Sequence, residues 1–334
     1  MNQTQRNARR QTLARKLRAV IEGPHVLSTQ QELKPYECDG LSAYRVVPLL
    51  VVLPASDEEV QAVLRICHTE HVAVVARGAG TGLSGGALPH EDGILLSLAR
   101  LNRILSVEPD NCRARVQPGV RNLAISEAAR PHGLYYAPDP SSQIACSIGG
   151  NVAENAGGVH CLKYGLTVNN LLAVEMVTIE GERVTLGGGG LDGPGYDLLA
   201  LATGSEGMLG VVVEVTVKLL PIPQRAQVAL AAFDEVETAG RAVADIIAAG
   251  ILPAGLEMMD NPSLRAAEDF VHAGYPTDAA AILLCEVDGG NEEVSEDIAK
   301  AVSYTHLRAH ETVTLISYAV FCVKKGGGGG GGGG

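Results

Sequence analysis

Residues 74–86 read VVARGAGTGLSGG, and five glycines, Gly78, Gly80, Gly82, Gly85 and Gly86, fall within nine positions. Glycine loses more conformational freedom on folding than any other residue. A cluster this dense therefore marks left-handed backbone or a close approach of main chain to another body. Apolar segments on both sides make a plain surface loop the weaker reading. The spacing excludes a P-loop, because no lysine follows the glycines. Gly80-Thr81-Gly82-Leu83-Ser84-Gly85 does fit G-x-G-x-x-G, but that pattern carries a dinucleotide only when it follows a strand and opens a helix. The strand is present as His71-Val72-Ala73-Val74-Val75. The helix is not: Gly86, Pro89 and Gly93 interrupt it, and Ile94–Leu98 reads as a second strand. The loop thus joins strand to strand, and offers a run of N–H groups to a pyrophosphate without a Rossmann helix.

The rest of the chain alternates the same way. Residues 46–53 read as a strand ended by Pro54, and Ser56 with Glu59 is a capping-box start. Val60, Val63, Leu64 and Cys67 then form one helical stripe, so 57–70 is an amphipathic helix. A short strand at 113–116 and a helix at 121–130 follow. Residues 137–158, APDPSSQIACSIGGNVAENAGG, are turn-rich and uncharged between Asp139 and Glu154, and a long irregular segment inside a domain is usually functional. Strands 171–179 and 182–186 form a hairpin about Glu180-Gly181. A tight turn at 204–207 leads into strand 211–220, and Pro221 and Pro223 mark a boundary. Beyond it the pattern is β-α-β-α-β-α: strands 228–233, 254–259 and 280–287 with helices 235–249, 262–272 and 291–300.

With 334 residues, 46% hydrophobic and 19% charged, the chain is long enough for about two domains. A net charge of −12 argues against nucleic acid or an anionic membrane as the main partner. Residues 6–18 are the exception, with Arg6, Arg9, Arg10, Arg15, Lys16 and Arg18 and no acid. A transit peptide and a docking helix are alternatives there, but a solvated amphipathic helix with Leu13, Leu17 and Val20 inward is favoured. Seven scattered cysteines without a C-x-x-C argue against a disulfide framework or a metal cluster and for a reducing cytosol. No run of 18 apolar residues is long enough to span a bilayer. Past residue 302 the periodicity is lost, and 326–334 are nine glycines. The stretch resembles translated sequencing adapter and is set apart as a non-native tail. His306, His310 and Glu311, at metal-like spacing, fall inside it and are not taken as ligands, so no metal site is expected.

Three motifs together are specific where G-x-G-x-x-G alone is not. They are RGAGTGLSGGALP at 77–89, YYAPDPSSQIACSIGGNVAENAGGVHCLKYGLT at 135–167 and TGSEGMLGV at 203–211, joined by PYECDGLSAYR at 35–45. Through them residues 30–302 resemble the FAD-linked glycolate oxidase subunits of the vanillyl-alcohol-oxidase-type flavoproteins. The resemblance implies an α+β chain: a two-subdomain PCMH-type FAD-binding fold, then an incomplete ferredoxin-like substrate or cap domain. The implied divisions are an N-terminal helical region at 1–45, the FAD-binding domain at 46–223 and the partial cap at 224–302, with the tail at 303–334.

It also implies roles. Ala76, Arg77, Gly78, Ala79, Gly80, Thr81 and Gly82 would wrap the FAD pyrophosphate. Ser141, Ser142, Ser147, Gly149 and Gly150 would line the second loop. Glu154, Asn155, Ala156 and Gly157 would run along the flavin edge, with Glu206 and Val212 at the adenosine end. Some relatives attach flavin covalently through a histidine where this chain has Thr81, so the FAD is expected to be non-covalent. His160, Cys161 and Lys163 sit just past the second loop, and a structural role is favoured for them.

The family oxidises a 2-hydroxy acid to the 2-keto acid, glycolate to glyoxylate first and D-lactate to pyruvate second. Its His-x-Gly-Asp-Gly and Gly-Glu-His-Gly motifs, which hold a divalent metal and the substrate, do not occur in residues 1–334. The catalytic residues are therefore unassigned. The implied partners are an iron–sulfur subunit and a second flavin-fold subunit, in the cytoplasm or peripheral at the inner membrane. A non-catalytic flavin-carrying or docking subunit is the alternative function, and an ether-lipid synthase or aldonolactone oxidase on the same fold is a third.

Overall fold

The apolar, β-branched runs pair into three main sheets in the computed structural model, which describes residues 3–188, 195–306 and 313–316. The chain forms two units: Met1–Gly157 with Leu166–Pro221, and Gly158–Gly165 with Ile222–Gly334. Strands β1 (Val26–Leu27), β2 (Leu50–Val52), β3 (Val74–Arg77) and β4 (Ile94–Ser97) open the first unit. They are followed by β5 (Ile104–Glu108), β6 (Arg113–Val116), β7 (Leu134–Tyr135) and β8 (Leu171–Val177). The unit closes with β9 (Arg183–Gly187), β10 (Val211–Lys218) and β11 (Leu220–Pro221). Its helices are α1 (Gln3–Leu17), α2 (Gln30–Leu33), α3 (Asp57–Thr69), α4 (Asn122–Ala129) and α5 (Ile148–Glu154). Next in the chain come α6 (Cys161–Tyr164), counted with the second unit, and α7 (Leu198–Ala202), back in the first.

The first sheet has the order β1-β2-β4-β3, with β2/β4 and β3/β4 parallel. The strands β2 and β4 are buried throughout, as unbroken apolar runs in a parallel pair require. The glycine loop is the crossover between parallel β3 and β4, and it contains no helix, as the sequence predicts. Helix α3 covers this sheet. Ser56 accepts the Glu59 N–H at its start, and Val60, Val63, Leu64 and Cys67 are buried along one stripe. Each such aliphatic side chain contributes about 1.5–3 kcal/mol relative to exposure. Burial also pushes the Cys67 thiol up to about 12, so it acts as a core side chain and not as a nucleophile. The second sheet is antiparallel, β5-β6-β10-β8-β9, and packs against α4 and α5 through a separate apolar cluster.

Several expectations change. The 46–53 strand shrinks to Leu50–Val52, because Pro48 has no N–H to give a ladder. His71 adopts φ 50° after α3, so β3 begins at Val74 rather than at residue 71. The strand β5 was not legible, its alternation being blurred by exposed Ile104 and Leu105. In α1, Leu13, Ala14 and Leu17 are buried, but Val20 is 37% exposed. Arg15 and Lys16 are exposed as expected, but Arg6, Arg9 and Arg10 of α1 are half-buried. Arg9 donates to the carbonyls of Glu70 and His71, Arg10 to Leu49 and Arg6 to Val47 and Glu91. Lys16 pairs with Glu70, and Arg18 reaches Val26 and Ser28. The charge run thus ties α1 to loop and strand ends of its own unit.

The second unit follows the predicted alternation: β12 (Arg225–Phe233), α8 (Val236–Ala248), β13 (Gly255–Asp260), α9 (Asn261–Val271), β14 (Ala281–Gly289) and α10 (Asn291–His306). The sheet order is β13-β14-β12-β15, all antiparallel, where β15 (Val313–Ile316) lies in the stretch the sequence set apart. An open sheet edge accepts any extended segment through main-chain pairing, which composition does not reveal. His310 and Glu311 lie outside the described residues. On β14, Ala281, Leu283, Cys285 and Val287 join the core with α8 and α10, while Ile282 and Leu284 join Leu264 of α9. Glu286 and Asp288 continue the second face, and both are buried. Lys163 Nζ and Tyr164 Oη donate to Asp288 at 2.7–2.8 Å, His160 Nε2 lies 3.5 Å from Glu286, and Cys161 Sγ donates to the Gly158 carbonyl. Residues 160–164 thus pack on β14 within the second unit.

Candidate cofactor-binding site

The first unit holds a cleft of about 230 Å³ whose walls come from the glycine loop, α5, the 203–212 segment and the ends of β3, β4 and β10. Its floor is apolar, with Leu98, Pro118, Met176, Val211 and Val212. Of the expected cofactor residues, Ala76 to Gly82, Ser142, Ser147, Gly149, Gly150, Glu154, Ala156, Glu206 and Val212 line it. Ser141, Asn155 and Gly157 do not. Ser141 is exposed; Asn155 instead caps α5 at φ 50° and accepts the Val168 N–H on its side-chain oxygen.

The glycine loop owes its shape to contacts that exclude a Cβ. A Cβ on Gly78 would lie 2.1 Å from Ser147 Oγ. That hydroxyl accepts the Ala79 N–H at 3.2 Å, so it holds the loop instead of capping its own helix. Gly80 sits at φ 72° against the Arg77 guanidinium. Arg77 itself donates to the Cys38 carbonyl at 2.7 Å and lies 5.9 Å from the Tyr36 ring centre, so its side chain braces the loop from behind. Among the described residues the N–H groups of Gly80, Thr81 and Gly82 have no acceptor. They form an unfilled set of main-chain donors at the cleft, the chemistry a phosphate needs.

The second loop was predicted to be irregular, but its second half is the short helix α5. Gly149 is essential to that packing, since a Cβ there would lie 2.6 Å from Pro118 Cβ and 3.1 Å from its backbone. Two buried asparagines, missed in the sequence, fasten it. Asn151 Nδ2 donates to Asn122 Oδ1 at 2.8 Å, and Asn122 Nδ2 donates to the Pro138 carbonyl at 2.8 Å. The Asn122 N–H also reaches the Cys146 carbonyl. The only sequence signal was Asn122 standing where a helix of this polarity would carry an apolar residue.

The 203–207 turn docks on the end of α5: the N–H groups of Gly204 and Glu206 donate to the carbonyls of Val152 and Ala153 at 2.8 and 2.9 Å. Glu206 takes φ 53° there, a left-handed position that non-glycine residues rarely adopt. Glu154 is brought to the same wall, its Oε1 filling the space a Gly86 side chain would need. Burial, then Glu206, then Asp39 raise the Glu154 carboxyl above its ordinary range. Among the described residues no three His, Cys, Asp or Glu side chains are grouped to hold a metal ion.

This helix-free glycine crossover and two-sheet cleft define a class. The chain belongs to the FAD-linked oxidases, matching the FAD binding domain over residues 48–187 and the FAD linked oxidase C-terminal domain over 222–317. It is 69% identical over 281 residues to the glycolate oxidase subunit GlcD of Escherichia coli (strain K12), covering 84% of this chain and 56% of that protein. It is 42% identical over 266 residues to GlcD of Bacillus subtilis (strain 168), covering 79% and 57%. A D-lactate dehydrogenase of Anaerostipes hadrus is 34% identical over 287 residues, covering 84% and 60%. The chain thus spans little more than half the length of these curated relatives. Among solved structures, an alkyldihydroxyacetonephosphate synthase shares the fold at TM-score 0.78 and 19% identity, over 90% of this chain and 59% of the other. A p-cresol methylhydroxylase does so at 0.77 and 18%, over 93% and 66%. FAD is this family's cofactor, and the cleft fits it: unfilled N–H donors, glycines no side chain can replace, and an apolar floor.

Proposed function

We propose that the chain is the flavin-binding part of an FAD-dependent 2-hydroxy-acid dehydrogenase, acting on glycolate first and D-lactate second. The observation that carries this reading is the 69% identity to a glycolate oxidase subunit, which runs through both loops of the cleft. FAD, when bound, supplies the two-electron acceptor for oxidation of the hydroxy acid.

The chain's own residues position it. The N–H groups of Gly80, Thr81 and Gly82 bind the pyrophosphate, and Ser147 and Arg77 fix the loop that presents them. Ser142, Gly149 and Gly150 shape the facing wall, and Leu98, Met176, Val211 and Val212 keep water from the floor. Asn155 supports the end of α5 through its side-chain bond from the Val168 N–H. A threonine cannot form the flavin bond that a histidine at residue 81 would allow, so the cofactor is held without a covalent link. The flavin-binding domain is assigned to 46–223 and a cap to 224–302. Electrons leave to an iron–sulfur subunit beside a second flavin-fold subunit, at the inner membrane face. Among the described residues no helix is long and apolar enough to cross a membrane.

A chimera tests the activity. The region of E. coli GlcD aligned with this chain is replaced by this chain's residues, in cells lacking their own GlcD. Glycolate oxidation is expected to return to within about tenfold of the natural subunit, or about 1.4 kcal/mol of barrier. A chimera that accumulates with FAD but oxidises neither glycolate nor D-lactate contradicts the proposal and favours a flavin-carrying role.

A further inference from the structure

The cleft wall has an imbalance of charge. Among the described residues its one cation is Arg77, whose guanidinium is already engaged by the Cys38 carbonyl and the Tyr36 ring. Its carboxylates are Glu154 and Glu206, brought side by side by the hydrogen bond from the Glu206 N–H to the Ala153 carbonyl. A third lies behind the glycine loop. Asp39 is 7% exposed; its Oδ1 accepts the Leu41 N–H, but its Oδ2 is buried with no donor. The next residue, Gly40, is wedged against the loop, where a Cβ would lie 2.7 Å from the carbonyls of both Thr81 and Gly82. The groups facing Glu154 are thus Glu206 on the 203–207 turn, Asp39 on the 38–41 segment and the occupied Arg77 on β3.

A flavin dinucleotide in this cleft would bring two more negative charges to the wall and would bury the partly exposed Glu154 further. Desolvation and like charge both disfavour an ionised carboxylate. We propose that Glu154 takes up one proton when FAD binds, so that cofactor capture by this chain is linked to pH. The inference rests on the flavin-binding reading and adds the ionisation state of the site. The direction follows from linkage. The bound form holds a proton the free form lacks, so affinity falls as pH rises through the window between the two Glu154 ionisations. The raised Glu154 carboxyl of the empty cleft sets the lower end of that window. FAD has no group of its own titrating between about pH 5.5 and about pH 8.5, so a slope there belongs to the protein.

The test is FAD binding by the full chain, followed by quenching of flavin fluorescence at constant ionic strength. The dissociation constant is expected to rise about tenfold or more from about pH 5.5 to about pH 8.5, and Glu154→Gln is expected to flatten it. FAD that binds with a flat profile, or a Glu154→Gln protein that keeps the slope, overturns the inference and leaves the flavin reading intact. Should the variant lose FAD altogether, calorimetry of the unsubstituted chain in two buffers of different ionisation heat decides. Uptake of about one proton supports the proposal and uptake of none overturns it. Absence of FAD binding at every pH overturns the flavin reading as well.

Discussion

Gly78→Ala is expected to weaken FAD binding by about tenfold to a hundredfold, or about 1.4–2.7 kcal/mol. The added methyl would lie 2.1 Å from Ser147 Oγ, well inside any real contact. Something must move, and the hydroxyl is the movable group. Rotating it away breaks its 3.2 Å bond from the Ala79 N–H and frees the loop that presents Gly80, Thr81 and Gly82. The effect is local, because β3 and β4 on either side are held by their own parallel ladder. Folding and far-ultraviolet dichroism should therefore stay near those of the unsubstituted chain. The double variant Gly78→Ala, Ser147→Ala removes the clash and is expected to recover part of the affinity. The loss is read from flavin fluorescence titration. Unchanged affinity in Gly78→Ala would mean the loop does not carry the pyrophosphate.

Asn122→Ala should act on stability instead. Asn122 is 1% exposed and joins α4 to two other segments: α5 through Asn151, and the 137–147 stretch through the carbonyls of Pro138 and Cys146. Truncation leaves the Asn151 amide and the Pro138 carbonyl buried without partners. Each costs about 1–3 kcal/mol, so a total loss of about 2–6 kcal/mol is expected. For a unit of this size that lowers the unfolding midpoint by roughly 5–20 °C. Because α5 forms a wall of the cleft, saturating FAD should restore part of the midpoint by mass action. A midpoint within about 1 °C of the unsubstituted chain would show that the asparagines are not structural, since a buried unpaired amide cannot be that cheap.

Much of this was legible in the sequence because its periodicities are strong. The stripe Val60, Val63, Leu64 and Cys67 fixed α3, and Gly86, Pro89 and Gly93 ruled out a helix after the glycine loop. The strand at 280–287 was also read, and it became β14, buried on both faces. Other features depend on partners distant in sequence. Gly149 and Gly150 read as turn residues, yet they lie in the first turn of α5, where Pro118 leaves no room for a side chain on Gly149. Arg6, Arg9 and Arg10 of α1 read as part of a solvated face, yet they bond carbonyls 39 to 85 residues away, which local pattern cannot reveal. Arg77 is expected to offer its backbone to the pyrophosphate, and its guanidinium braces the loop through the Cys38 carbonyl. At the site, the family resemblance supplied most of the residues that line the wall, while Asn122, Asn151 and the orphan oxygen of Asp39 emerged only from the packing.

The central claim is that the cleft behind VVARGAGTGLSGG holds FAD without a covalent bond. It is tested by purifying the chain, recording its visible absorption, precipitating it with acid and assaying both fractions. The account predicts flavin absorption bands in the native protein, and FAD released wholly into the supernatant. Flavin retained in the precipitate would contradict the non-covalent assignment from Thr81. A folded protein with no flavin bands, even after incubation with added FAD, would contradict the cleft assignment itself.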